Sequence, residues 1–289
     1  MTSIGFTEIL IIVLIGIIEG VTEWLPVSST GHMLLFDEFV PFGATEAFKE
    51  MFFVVIQLGA ILAVVTVFFR KMLPVTVENA VSGEIEDGKN SKKLKLDKQV
   101  LLLWAKVAVA CLPSAVIGLI LDDFLEEKFG SAISISAMLI VYGIAFIIVE
   151  KIRNKRTPKL DSLENITFLQ AFIIGCFQVL SLIPGTSRSG ATIIGALIIG
   201  VSRSVAAEFT FFLAVPTMLG ASALKIIKFG ADFTGAEVIA IVLGMAVAYA
   251  VSLAAIKFLM EFVKKHSFTV FGCYRIVLGA VVLAVALLR

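Results

Sequence analysis

The chain has 289 residues, of which 59% are hydrophobic and 16% charged, with a formal net charge of +1. A soluble domain carries about 25% charged residues, so a mean hydropathy of +1.02 excludes that class and makes a lipid bilayer the surroundings. The near-neutral charge argues against nucleic acid as a partner.

No Lys or Arg precedes the first apolar run at 9–18, and no small-residue cleavage site follows it. We expect no cleavable signal there. Six apolar runs, at 51–69, 100–121, 133–149, 209–227, 238–260 and 270–288, approach the ~20 residues a membrane span needs. Basic residues collect at 70–99 and 151–159, whereas the loop at 122–132 is mainly acidic. Cytoplasmic loops gather Lys and Arg, which puts 70–99 and 151–165 inside and 122–132 outside. Lys225 and Lys228, on the outer side, fit that count least well. The run at 82–98 reads as a solvated loop. Cys111, Cys176 and Cys273 sit in apolar runs and read as buried packing residues.

Two stretches are left over, 7–40 and 166–204, each apolar but interrupted by Pro, Gly and hydroxyl residues. To preserve the alternation of sides, each would enter and leave on one face, as a re-entrant helical hairpin; the alternative is a pair of kinked ordinary spans. They also resemble each other at a fixed offset of 159: Gly16 and Glu19 match Gly175 and Gln178, and 28–31 matches 187–190. The fold expected is an all-α integral membrane protein, a single membrane domain over 1–289. It divides into inverted-topology repeats at 1–165 and 166–289, each a re-entrant hairpin plus three transmembrane helices, six spans in total. Such repeats place a polar site near the midplane, where the breaks meet.

The first break carries EGVTEWLPVSSTGHM at 19–33 and the second carries PGTSRSGATI at 184–193. Glu19 and Glu23 are four apart and share a helical face. With Arg188 they would cost on the order of 8–10 kcal/mol inside a membrane, unless they meet each other, a metal or a wet cavity. A helix N-terminus follows each break and favours an anion, and Arg188 offers a planar fork for phosphate oxygens. Capping accounts for one hydroxyl per break, leaving others among Ser28, Ser29, Thr30, Thr186, Ser187, Ser189 and Thr192 for a ligand. His32 lies one turn beyond Ser29, so acid–base chemistry is in reach. Paired carboxylates suit a hard divalent cation. The constellation reads as metal-assisted phosphoryl transfer on an anionic lipid. The competing reading is a transporter or flippase for an anionic lipid, which would use Arg188 but gain little from two glutamates.

Lys106 is expected to snorkel to the interface, and Arg203 and Arg275 to anchor cytoplasmic ends. A direct pair between Arg203 and Glu208 is left open. Met51, Phe52 and Phe53 read as packing or lipid-facing residues.

The two breaks, together with Gln57 in VIQLGAILAVV and with EFTFFLAVPTMLGA at 208–221, resemble the bacterial undecaprenyl-diphosphate phosphatase family associated with bacitracin resistance. The resemblance spans essentially the whole chain. It implies removal of the terminal phosphate of undecaprenyl diphosphate, giving the recycled lipid carrier for cell-wall polymers. It further implies a multi-pass protein of the bacterial plasma (inner) membrane, a site opening to the outer (periplasmic or extracellular) face, and a divalent cation, Mg2+ or Ca2+. By the resemblance Glu19 and Glu23 are metal-binding and catalytic, Ser29 is the nucleophile, His32 the acid–base group and Arg188 the phosphate clamp. Ser28, Thr30, Gln57, Thr186, Ser187, Ser189 and Thr192 are then substrate-binding, and a homodimer is left open. The other lipid-phosphatase superfamily needs a Ser-Arg pair followed by five residues and then a histidine; here Ile194 stands at that position.

Overall fold

A computed structural model describes residues 5–79, 92–153, 159–230 and 232–288. The architecture is helical. In chain order come α1 (Phe6–Thr22), α2 (Ser29–Phe39), α3 (Glu46–Val55), α4 (Gln57–Val67) and the short α5 (Phe69–Met72). After a β-hairpin follow α6 (Lys98–Phe129), α7 (Ala132–Arg153), α8 (Phe168–Val179), α9 (Arg188–Ile198), α10 (Arg203–Phe229), α11 (Gly235–Lys265) and α12 (Thr269–Leu288). Six helical stretches among the described residues are long and apolar enough to cross a membrane, with α3 and α4 acting as one, Glu46–Val67. They correspond to the six apolar runs, and the chain is a multi-pass membrane protein. The stretches at 7–40 and 166–204 form shorter helices with a break in each.

The hairpin corrects one expectation. β1 (Val75–Asn79) pairs antiparallel with β2 (Lys92–Leu96), so part of the run at 82–98 is strand. Leucines alternating with lysines in KKLKL carry the period of two that a strand needs. The remainder of that run up to residue 91 lies outside the described residues.

Helix packing crosses between the halves of the chain. α1 lies along α11, α8 lies along α6, and α7 pairs with α12. Small residues permit the approach, as is usual where helices pack in lipid. A Cβ on Gly143 would stand 2.7 Å from the carbonyl oxygen of Gly272, and one on Gly272 would stand 2.7 Å from that of Gly143.

Ion pairs mark the two faces of the bundle. Lys225 meets Glu126 at 3.1 Å and Lys228 meets Asp123 at 2.6 Å, joining the C-terminal ends of α6 and α10. The two lysines that fitted the loop count poorly are therefore neutralised by the acidic stretch beside them. At the opposite end of α10, Arg203 pairs with Glu150 at 2.6 Å, and Glu208 pairs with Lys71 at 2.5 Å instead of with Arg203.

Three other assignments change. Lys106 does not snorkel: it is buried and donates to the Glu164 carbonyl at 2.8 Å, because α8 covers that part of α6. Cys176 and Cys273 are exposed and so are not core residues, whereas Cys111 is half-buried and packs against the core. Arg275 is fully buried and not an interfacial anchor. Met51 and Phe52 are buried packing residues, as the aromatic cluster around Phe42, Phe48 and Phe52 requires.

Candidate active site

Both breaks turn on a serine in an unusual backbone conformation. Ser28 (φ 76°) and Ser187 (φ 70°) are the non-glycine residues with positive φ among those described. Such a conformation costs on the order of 1–3 kcal/mol and persists where the surroundings enforce it. Each serine is the N-cap of an 11-residue helix, accepting from Gly31 N at 3.4 Å and from Gly190 N at 3.2 Å. Each strained serine leads into a helix whose first residue, Ser29 or Arg188, contacts Glu23.

Glu23 and Arg188 meet there across 165 positions of sequence. Nε and Nη2 of Arg188 donate to Glu23 Oε1 at 3.3 and 3.1 Å, and both side chains are about nine-tenths buried. The second carboxylate oxygen, Oε2, accepts from Ser29 Oγ at 3.1 Å. Arg188 Nη1 donates to the Thr210 carbonyl at 3.0 Å, and its guanidinium lies 5.9 Å from the centre of the Trp24 ring. Ser189 Oγ donates to the Glu23 carbonyl at 3.0 Å, while Thr192 shares a 2.9 Å hydrogen bond with Thr210. Ser187 and Ser189 lie with their hydroxyls 3.2 Å apart. The guanidinium has five N–H groups, so one hydrogen on each terminal nitrogen remains for an anion.

Glu19 sits one turn before Glu23, buried, and its Oε1 has no partner among the described residues. A buried unpaired carboxylate oxygen is costly unless something fills it. Glu19, Glu23 and the neighbouring hydroxyls offer only oxygen donors, the kind a hard cation such as Mg2+ or Ca2+ takes. The residues present therefore fit a divalent cation, although no cluster of three or more His, Cys, Asp or Glu stands among those described.

His32 is placed differently from the spacing argument. Its Nδ1–H donates to the Ser28 carbonyl at 2.7 Å, and Nε2 accepts from Tyr274 Oη, also at 2.7 Å. The imidazole and phenol rings are parallel to within 8°. The hydroxyl of Ser29 thus faces a carboxylate, and His32 is tied to α12. Thr30 is exposed and Gln57 opens α4; both lie outside this cluster of hydrogen bonds. The carbonyl of Thr186 belongs to it through Arg275.

Arg275, expected only as an anchor of a cytoplasmic end, lies instead against both breaks. It donates to the Pro26 carbonyl at 3.4 Å in the first break and to the Gly185 and Thr186 carbonyls, each at 2.9 Å, in the second. One buried guanidinium thus pins both breaks. An ionisable residue inside an apolar span was the available signal, but its place near one end of the run pointed toward snorkelling. Tyr274 carried no signal of its own, since its partner lies 242 positions away.

Tyr274→Phe keeps the ring stack and deletes only the donor to His32. One hydrogen bond contributes about 0.5–1.5 kcal/mol, so kcat is expected to fall about 3–10-fold with KM unchanged. In a His32→Ala background the same change should have no further effect; an undiminished loss there would show that Tyr274 does not act through His32.

Comparison with known proteins follows the same lines. Residues 12–281 match the family described as bacitracin resistance protein BacA. The chain belongs to the BacA family. A protein of Enterococcus faecalis named undecaprenyl-diphosphatase is 58% identical over 283 residues, covering 98% of this chain and 99% of the relative. One of the same name from Desulfitobacterium hafniense is 50% identical, with 96% of each chain covered. Another, undecaprenyl-diphosphatase 1 of Clostridioides difficile, is 51% identical, with 98% of each covered.

Proposed function

We propose that this BacA-family protein hydrolyses undecaprenyl diphosphate to undecaprenyl phosphate and inorganic phosphate, in the plasma membrane, at a site opening to the outer face. The observation that carries the reading is the Ser29–Glu23–Arg188 constellation: a hydroxyl and a guanidinium that both donate to one carboxylate, the groups a phosphoryl transfer would use as nucleophile, phosphate clamp and base. A carrier would need only the guanidinium. The names borne by relatives at 50–58% identity support the same substrate.

In the reaction, Glu23 Oε2 takes the proton as Ser29 Oγ bonds to the terminal phosphorus, and the bond from that phosphorus to the bridging oxygen breaks. Undecaprenyl phosphate leaves. Arg188 holds the non-bridging oxygens as charge spreads onto them, which is where most of the catalytic benefit in phosphoryl transfer lies. Water then attacks the phosphorus of the phosphoserine and gives a proton to His32 Nε2, the bond from phosphorus to Ser29 Oγ breaks, Ser29 takes back the proton held on Glu23, and inorganic phosphate leaves. Glu19 and Glu23 would hold a divalent cation, whose contribution is to neutralise phosphate charge and orient the oxygens.

The fold reading that accompanies this is a pair of inverted repeats, 1–165 and 166–289, each opening with a re-entrant hairpin, at 7–40 and 166–204. It is supported by the helices α2 and α9, of equal length and 159 positions apart, by the two strained serines at that same offset, and by the crossed packing of α1 on α11 and α8 on α6.

Phosphate release from undecaprenyl diphosphate by purified protein in detergent tests the function. Chelator is expected to abolish release and added Mg2+ or Ca2+ to restore it. Glu19→Gln should raise the cation concentration for half-maximal rate at least about tenfold, the scale already reached when only a hydrogen-bonding supporter of a ligand is lost. Full activity in chelator would remove the cation from the account. No release from folded protein would favour the transporter instead.

A further inference from the structure

An apolar cavity of about 360 Å3 lies between α6 and α10, outside the chemistry described above. Small residues form much of its wall, namely Ala115 and Gly118 on α6 with Gly220 and Ala221 on α10. Leu119 also lines it and is 73% exposed, so the cavity opens on the flank of the bundle that faces lipid. At one end stand Asp122 and Lys225. There the ion pairs Lys225–Glu126 and Lys228–Asp123 bridge α10 to α6, leaving the side as the way in. At the other end Thr217 and Ser114 accept hydrogen bonds from buried Gln178, at 3.3 and 2.6 Å.

Two elements carry this inner end to the catalytic cluster. Thr217 is two helical turns along α10 from Thr210, on the same face and about 10 Å away, and the Thr210 carbonyl holds Arg188. Leu182, which walls the cavity, ends the short 3-10 turn that runs into the second break and Arg188.

We propose that this cavity seats the isoprene units of the substrate nearest its diphosphate while the phosphates lie at Arg188. The proposal rests on the phosphatase reading. The volume is near the lower end of ligand pockets, about 300–1,000 Å3, so it takes the head of a long polyprenyl chain and leaves the rest in the bilayer. Lipid tails are as apolar as the cavity wall, hence the cavity adds little raw affinity. It acts by shape: a branched chain held between α6 and α10 aims the diphosphate at Ser29, and chain type is sensed there.

Gly220→Leu tests the idea without straining the helix, since no heavy atom lies within 4 Å of the added Cβ, and Leu is a better helix former than Gly. The measurement is kcat/KM for dimethylallyl, farnesyl and undecaprenyl diphosphate, with the parent protein alongside. The parent should favour the longer chains. In the variant the ratio of undecaprenyl to dimethylallyl activity is expected to fall about tenfold or more, the scale of lost pocket complementarity. A second readout does not depend on turnover: an undecaprenyl diphosphate bearing a photoreactive group near its head should label α6 and α10 within the cavity in the parent and not in the variant. An unchanged ratio, or labelling elsewhere, would overturn the proposal and leave the cavity to ordinary bilayer lipid. Should the parent release phosphate from none of the three, the phosphatase reading itself fails.

Discussion

Glu23→Gln is expected to lower kcat at least about 10³-fold while the protein stays folded. The substitution keeps the shape of the side chain and an acceptor for the Arg188 guanidinium, but removes both the charge and the base facing Ser29. General-base catalysis alone contributes about 10²–10⁴-fold, and weakening a nine-tenths-buried ion pair adds misplacement of Arg188. KM should change far less than kcat, since the Ser29–Glu23 contact serves the proton transfer. Steady-state kinetics of phosphate release, with melting monitored in parallel, reads both. A variant with kcat within tenfold of the parent would mean that another group takes the Ser29 proton.

Arg275→Leu is the second large effect, and it comes from a residue in none of the motifs. Its guanidinium is the shared donor for three backbone carbonyls, one in the first break and two in the second. Each buried carbonyl left without a partner costs about 1–3 kcal/mol, so the breaks should relax apart. A displacement of about 1 Å at a reacting centre costs on the order of 10²-fold, and kcat is expected to fall by that factor or more. Lysine should not rescue it, because a single ammonium lacks the fork that reaches both breaks. Parent-like turnover in Arg275→Leu would show that the strained serines hold the geometry by themselves.

The six spans and the polar make-up of the two breaks were readable in the sequence, because apolar run length, intramembrane charge and hydroxyl excess are local properties. Pairings made by tertiary contact were not. His32 stands one turn from Ser29, and that spacing suggested a Ser–His pair; its ring instead turns to Ser28 and Tyr274, because α12 packs against α2. Arg275 looked like an interfacial anchor until the return of α12 beneath both breaks buried it. Lys106 likewise took a backbone partner 58 positions away. Covalent neighbours predicted which groups would be present, while the crossed packing of the halves decided which of them touch.

The central claim is that the two breaks, far apart in sequence, make one catalytic site. A double-mutant cycle on Glu23→Gln and Arg188→Met, read as kcat for phosphate release, tests it most directly. Residues that act as a unit lose their effects together, so the double variant is expected to be no slower than the worse single variant. Losses that multiply would contradict the claim, and would mean that the carboxylate and the guanidinium serve the reaction independently.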